Sequence, residues 1–541
     1  MKPKSVFWIL ALSIVAIVFI SGCTGPGGKP ICPPAGFPQL PGCGSESAST
    51  SPQVTASTAP QTTVKEVSTK TPLATPTIIQ STPKPKMVSV NLTVTVPYWT
   101  TGDVYLGVGN NASYRKLNHL ESVFYSGTAK IGKGEQYYYS RGSLATRSTD
   151  NFTPMELPNG LDAVTDWIDS TKTISMPGFQ KGVLFGGSGW HPEEAGVNET
   201  VDYNLDLAKK FGVEWLVIDN MWFEFPDCSD AQQIKPFYIG DGVWPETQGW
   251  TAPTKTDDQM KGLISKAKSK GFKIFLKPVV VSFAKGPGRD PPCHQKMTNW
   301  DSWFNDYKTF AVHFAQLAQD AGVDMYAFGT ELDIATDPTR FAGLGPSNPT
   351  ERWRSIIKEI RNVYSGKLTF SVSCSVDTNH PEWYPCNGPD GVKFWDDLDY
   401  IGFEPYFSIT TKPNPSVADI KDAFGSALDS AAITGAKQFH EKYNKPVVFT
   451  EFSLNSYTGA THYQLQKPAN YQFNMQEQAN QFEGIMQAVE ERPWIAGMHV
   501  WSWYLIKPGE DVKWQLTDSN GDFNGKPGGQ VLKKWYSKIG G

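Results

Sequence analysis

Two glutamates stand where short apolar runs end. The run Asp324-Met-Tyr-Ala-Phe-Gly-Thr330 finishes at Glu331, and Pro446-Val-Val-Phe-Thr450 finishes at Glu451. A carboxylate deep inside an apolar strand would be buried without a partner, whereas at the strand's end it reaches a mouth lined by loops. Two carboxyl groups delivered to one mouth suit the cleavage of an acetal. One protonates the departing oxygen, and the other stabilises or traps the oxocarbenium-like centre. At about 5–5.5 Å apart the second group bonds the anomeric carbon directly, and configuration is retained. Their like charges then raise one of the two pKa values, which keeps the acid protonated near neutral pH. A lone Glu after a strand could equally cap a helix or pair with a loop cation, so the weight rests on there being two.

Other side chains gather at similar places. Trp501 and Trp503 end the run from Ile495, and a period of two puts both indoles on one face, one of them to floor the subsite where the bond breaks. A purely core role is the alternative for each. Tyr400, Gly402, Glu404 and Tyr406 share a face of their strand. Glu404 is a rival carboxylate: it is either a substrate contact or the ion-pair partner of Lys277. Asn220 and Trp222 after the second strand, with Asp219 and Glu224, and Trp190 after the first, are candidate subsite walls. Loop packing is the alternative for both tryptophans. The eight His are scattered, and no His/Cys spacing suits a metal, so no metal and no other cofactor is expected.

Positioning these groups requires repeated β–α units. Eight strand candidates run through Gly182–Gly187, Trp215–Met221, Lys273–Ser282, Met325–Thr330, Lys367–Ser373, Tyr400–Phe407, Pro446–Thr450 and Ile495–Trp501. Helical spacings of three and four fill Val201–Phe211, Asp257–Lys270, Trp303–Ala321, Thr350–Tyr364 and Glu477–Glu490. The fold class is α/β, a (β/α)8 TIM barrel over residues 181–541. Ahead of it, residues 87–150 alternate apolar Val88, Val90, Leu92, Val94 and Val96 with polar neighbours, which predicts a small all-β sandwich; 151–180 is a connector. Residues 23–86 are a Ser/Thr/Pro-rich stalk that cannot bury enough surface to fold.

Composition narrows the partners. Of 541 residues only 19% are charged, the formal net charge is -5, and no Lys/Arg block occurs, so nucleic acid and an anionic membrane surface are not implied. Aromatics at 13%, with 18 Trp, suit a neutral polysaccharide, although large barrels also bury aromatics. Lys2 and Lys4 precede an apolar run from Val6 to Ile20, an export signal over residues 1–22. Its close at Phe19-Ile-Ser-Gly-Cys23 resembles a lipobox with Cys23 as the lipidated residue; an uncleaved N-terminal anchor is the other reading. Either places the chain at the extracellular face of the membrane, where disulfides persist. From loop placement the six remaining Cys pair as Cys32–Cys43, Cys228–Cys293 and Cys374–Cys386. A monomer is expected.

Most of 181–541 resembles the clan A retaining glycoside hydrolases. It is most similar to glycoside hydrolase family 113, the family of β-mannanases, through FLKPVV, AQLAQDAGVDMYAFGTELD, DYIGFEPYF, PVVFTEFS and GKPGGQVLKKWY. The resemblance implies Glu331 as acid/base, Glu451 as nucleophile, Trp501 as the subsite floor and Tyr406 as a hydrogen-bond donor that holds the nucleophile ionised. Thr330 stands where most of the clan has Asn, and its hydroxyl can reach a sugar hydroxyl. Lys277-Pro278 resembles the strand-three motif, with Val280 where the family often has a polar residue or His. Within 87–150, VTVPYWTTGDVYLGVGN and GEQYYYSRG resemble the starch-binding carbohydrate-binding module family 20. That family stacks sugars on tryptophans, and this segment has only Trp99, with Tyr114-Arg115-Lys116 at a common tryptophan site. The function implied is endo-acting hydrolysis of a neutral polysaccharide, β-mannan before β-glucan. An exo-glycosidase or transglycosylase of the clan would look the same. A non-catalytic polysaccharide-binding lipoprotein would have no need of a carboxylate on each side of the anomeric carbon.

Overall fold

The structure, a computed structural model, describes residues 86–109, 114–132, 134–152, 161–168, 174–186, 197–225, 233–238, 253–282, 299–337, 345–375, 391–462, 467–508 and 519–540. The export signal and stalk with Cys23, Cys32 and Cys43 lie outside the described residues, as do Trp190, Cys228, Cys293 and Cys386.

The alternating N-terminal segment forms two sheets. Strands β1 (Met87–Thr95), β2 (Tyr105–Val108), β3 (Tyr114–Lys116), β4 (Asn118–Glu121), β5 (Phe124–Gly132), β6 (Tyr137–Ser140) and β7 (Leu161–Ala163) are ordered β4-β5-β1-β7 and β3-β2-β6. Val90, Leu92 and Val94 of β1 are buried while Ser89 and Asn91 are exposed, as a pleated strand with one core face requires. The connector expected over 151–180 is in part sandwich: β7 joins β1 in parallel, from Thr93 opposite Leu161 to Thr95 opposite Ala163, and covers its edge. Beyond it β8 (Ile174–Ser175) pairs with the chain's last strand, β20 (Ile539–Gly540).

The barrel closes through β9 (Gln180–Phe185), β10 (Trp215–Ile218), β13 (Lys273–Leu276), β15 (Met325–Thr330), β16 (Lys367–Ser375), β17 (Ile401–Tyr406), β18 (Val447–Phe452) and β19 (Ile495–Trp503), all parallel. The second and third expected strands are each split. After β10 comes β11 (Met221–Phe225), and after β13 comes β14 (Val279–Ser282). Pro278 has no N–H to give the ladder, which resumes when Val279 N–H donates to the Asn220 carbonyl at 2.8 Å. β11 and β14 then form a separate sheet with β12 (Gln233–Lys235).

Helices α1 (Val197–Lys210), α2 (Asp257–Ser269), α3 (Trp300–Asp320), α4 (Pro349–Val363), α5 (Val417–Asp429), α6 (Ala436–Tyr443), α7 (Met475–Glu490) and α8 (Pro527–Lys538) accompany the barrel. Their starts follow local chemistry: Thr256 and Gln259 cap α2 reciprocally, and Pro349 opens α4 where no intrahelical N–H is needed. Trp353, Ile356, Ile357 and Ile360 form the buried stripe of α4. Inside the barrel, Leu184, Trp215, Val217, Phe275, Met325, Ala327 and Val448 pack together. The larger core lies between strands and helices and runs on into the sandwich.

Candidate active site

Inward positions of the strands are fixed by that inner cluster. From Phe275 the period of two brings Lys277 inward at the end of β13, and from Tyr400 it brings Gly402, Glu404 and Tyr406 inward along β17. Glu331 lies on the count by two from inward Met325 and Ala327, whereas Glu451 needs more than the period. The pairing of β15 with β16 slips between Ala327 and Thr330, and that of β18 with β19 between Phe449 and Phe452. Such irregularities re-aim side chains. Counting by two from inward Val448 reaches Thr450, not Glu451; the slip lets both face the interior. Glu331 adopts φ 52°, in the left-handed region, with its N–H donating to the Ser371 carbonyl at 3.1 Å. A non-glycine residue in that region is strained, and its surroundings hold it there.

Glu451 is gripped from two sides. The Tyr406 hydroxyl donates to Oε1 at 2.8 Å, and the Lys277 ammonium lies 2.5 Å from Oε2. The same ammonium lies 2.8 Å from Oε1 of Glu404, which also accepts from the Ser371 hydroxyl at 2.6 Å. Ser371 in turn contacts the Thr450 hydroxyl. Lys277 is 3% exposed, Glu404 0% and Glu451 12%, so the charge is layered with Glu451 nearest solvent. Burial alone would push Lys277 down, but the two carboxylates outweigh it and the ammonium is held protonated. Burial pushes the Glu404 carboxyl up, to about 8, against the pull of Lys277, and the charges of Glu451 and Glu331 add to the rise. His499, buried beneath, is held neutral, its pKa depressed to about 3 by burial. Thr330 Oγ1 is buried with no hydrogen-bond partner among the described residues.

Several expected site residues do other work. Trp501 packs on the barrel's inner cluster, but Trp503 does not share its face: fully buried, it meets Phe211 and Phe523 edge-on and donates from Nε1 to Asn204 Oδ1 at 3.2 Å. The register of β19 against β9 slips between Val500 and Trp503, so the period of two is interrupted. Trp222 is buried against Phe310, His313 and Phe314 of α3 and is no subsite wall. Asn220 spends its amide on the Lys255 backbone, accepting from N–H and donating to the carbonyl, each at 2.8 Å. Glu224 accepts from Trp303 Nε1 at 2.9 Å, and Asp219 pairs with Lys255. In all four, side-chain polarity or size serves packing. Cys374 is disulfide-bonded. Among the described residues no group of three or more His, Cys, Asp or Glu could hold a metal, and no helix is long and apolar enough to cross a membrane.

Ser371 and Thr450 were not singled out from the sequence. The signal for Ser371 lies in strand five, where Thr369, Ser371 and Ser373 alternate with Leu368, Phe370 and Val372: a polar face turned inward needs polar company.

Residues 245–517 match Glycoside Hydrolase Family 113. Among solved structures, a GH113 β-1,4-mannanase is 22% identical, covering 66% of this chain and 99% of its own, with a TM-score of 0.48. The GH113 β-mannanase of Alicyclobacillus acidocaldarius in complex with ManMIm is 21% identical over 67% of this chain and 98% of its own, TM-score 0.48. The endo-β-1,4-mannanase of Thermotoga petrophila is 14% identical over 66% and 76%, TM-score 0.39. No curated protein matches.

Proposed function

The chain belongs to Glycoside Hydrolase Family 113 and is a glycoside hydrolase, and from that premise we propose that it hydrolyses β-mannan with retention, Glu451 acting as nucleophile and Glu331 as acid/base. The observation that carries the reading is the double grip on Glu451 by Lys277 and Tyr406. A cation and an O–H donor favour the ionised carboxylate, which is the form a nucleophile needs. Glu331 is delivered by β15, three strands from β18 around the barrel, with β16 and β17 between them.

In the first step Glu331 gives its proton to the glycosidic oxygen while Glu451 bonds the anomeric carbon, forming a glycosyl ester and releasing the aglycone. In the second, Glu331 takes a proton from water, the water oxygen bonds the anomeric carbon, and the Glu451 ester bond breaks. Thr330, beside the acid, offers its hydroxyl to the sugar, and Trp501 offers an indole face. The full-length protein incubated with mannan, glucan, chitosan and starch should release reducing ends from mannan first. Glu451→Ala should lower the rate by at least about a thousandfold, in line with removing a covalent nucleophile. Reducing ends from none of the four, or wild-type rates in the variant, would sink the reading, and an inverted first-formed anomer by NMR would remove the retaining step.

The location is part of the same proposal. Carried outward by residues 1–22 and lipidated at Cys23, the enzyme would stand off the membrane's outer face on its stalk and cut polymer there. The native protein should sediment with membranes and be released by Cys23→Ala; recovery from the cytosolic fraction rejects this. The sandwich is read as a brace on the barrel, resting on its continuous core with the helix layer.

A further inference from the structure

The Lys277–Glu404 pair is more deeply buried than Glu451. At 3% and 0% exposure neither side chain meets the mouth, and the ammonium's nearest acceptors are two carboxylates on different strands. Stability does not account for the pair, because a buried ion pair is often matched or bettered by apolar residues of similar volume. What is particular is the order of charge: Glu404 below, Lys277 between, Glu451 above.

We propose that Lys277 is a positioning residue for Glu451, a counter-ion shared with Glu404, and that Glu404 and Ser371 anchor it so that the two carboxyl groups gain and lose protons as one unit. The proposal rests on Glu451 being the nucleophile. Three contacts support it. Lys277 bridges Glu451 Oε2 at 2.5 Å and Glu404 Oε1 at 2.8 Å, and Ser371 donates to that same Glu404 oxygen at 2.6 Å. Glu404 Oε2 is buried and has no partner among the described residues, so Glu404's hydrogen bonding falls on Oε1, which Lys277 and Ser371 share. An ionised oxygen left there would be costly, and a protonated one much less so. The upward displacement of Glu404 agrees with a proton residing there while Glu451 is ionised. The titratable groups facing this centre are Lys277 at the end of β13, Glu331 after β15, Glu404 and Tyr406 on β17, and His499 on β19.

Removing the ammonium should make Glu451 harder to ionise. Lys277→Gln is expected to move the acid limb of the kcat/KM profile on mannan oligosaccharides upward by about one pH unit or more, the usual effect of an opposite charge in contact. It should lower kcat by roughly ten- to a hundredfold with little change in KM, the scale of one hydrogen bond to a charged group. Lys277→Arg, which keeps the charge, should restore most of the acid limb. A raised KM with an unmoved limb would make Lys277 a sugar contact and overturn the proposal.

Should Lys277→Gln fail to fold, Glu404→Gln keeps the shape and tests the sharing directly. With 13C-carboxyl glutamate, the Glu451 resonance should titrate in two steps in the wild type and in one step in Glu404→Gln, because coupled carboxyls lose protons in macroscopic steps that belong to the pair. One step in both proteins, or two in both, overturns it. Labelling with a 2-deoxy-2-fluoro-mannosyl fluoride and peptide mapping separates the premises. Label on another residue fails the nucleophile assignment while the titration still judges Lys277; label on Glu451 with single-step titration fails the sharing alone.

Discussion

At the scale of single residues, the site is organised by what each polar atom has already been given. Asn220 and Glu224 are saturated by backbone and indole partners, and Lys277 is spent on two carboxylates. Thr330 differs: its hydroxyl is buried beside the proposed acid, without a partner among the described residues. A hydroxyl left unpaired in the protein costs stability, so it is retained for something that arrives. Thr330→Val should therefore keep or slightly raise the melting temperature while lowering kcat/KM on mannan by about tenfold, the value of one neutral hydrogen bond. Calorimetry and steady-state kinetics on the same preparation read both. A drop in stability with unchanged kinetics would show the hydroxyl serving the fold instead. Composition at strand ends made Thr330, Glu331 and Glu451 legible, because polar groups after apolar runs must face a mouth. The same rule misdirected Asn220 and Trp222. It identifies side chains that leave the barrel wall, and cannot tell which are then met by a neighbouring helix or loop backbone.

At the scale of elements, apolar runs and helical spacings were enough for eight strands, because each run must bury both faces in a parallel barrel. Met325–Thr330 is found with the expected limits, and strand five, with no helix expected after it, takes its place between β15 and β17. What one-dimensional periodicity could not carry was the phase of side chains at strand ends. Slips in β15, β18 and β19 fall within a few residues of Glu331, Glu451 and Trp501, where the chain leaves the ladder. A slip depends on the neighbour across the ladder, which the sequence of one strand does not contain. Trp503 therefore turned outward to α1, and Glu451 reached the interior although counting by two from Val448 passes it by. Close approach adds a further constraint: a Cβ on Gly402 would lie 2.3 Å from the Phe370 carbonyl oxygen and 2.8 Å from the Thr369 hydroxyl, so β17 can lie against β16 only with glycine there.

At the scale of the whole molecule, the sandwich and the barrel between Thr82 and Gly541 share one interior. Tyr98 stacks on Trp535 at 5.7 Å and donates to Glu490 at 2.5 Å. The Lys534 ammonium, 3% exposed, binds Glu483 at 2.5 Å and the Val96 carbonyl at 3.2 Å, which ties α8 both to α7 and to the end of β1. A sugar-binding module on a tether would show neither a buried cation spanning the boundary nor a common core. The two parts should consequently unfold together. Scanning calorimetry of the full-length protein is expected to give one endotherm for residues 86–540. Lys534→Met, which leaves Glu483 as a buried charge without its cation, should lower that transition as a whole, at a cost of about 3–5 kcal/mol. If the sandwich were an independent module, the variant would instead split the trace, with a barrel transition at the wild-type temperature and a separate one for the sandwich. Fluorescence of the barrel's tryptophans and the exposure of the Arg147 peptide bond to trypsin would then report different midpoints. Coincidence of the two midpoints in the wild type and in Lys534→Met is the result that makes the sandwich a brace, because only a shared core transmits the loss of one ammonium to both.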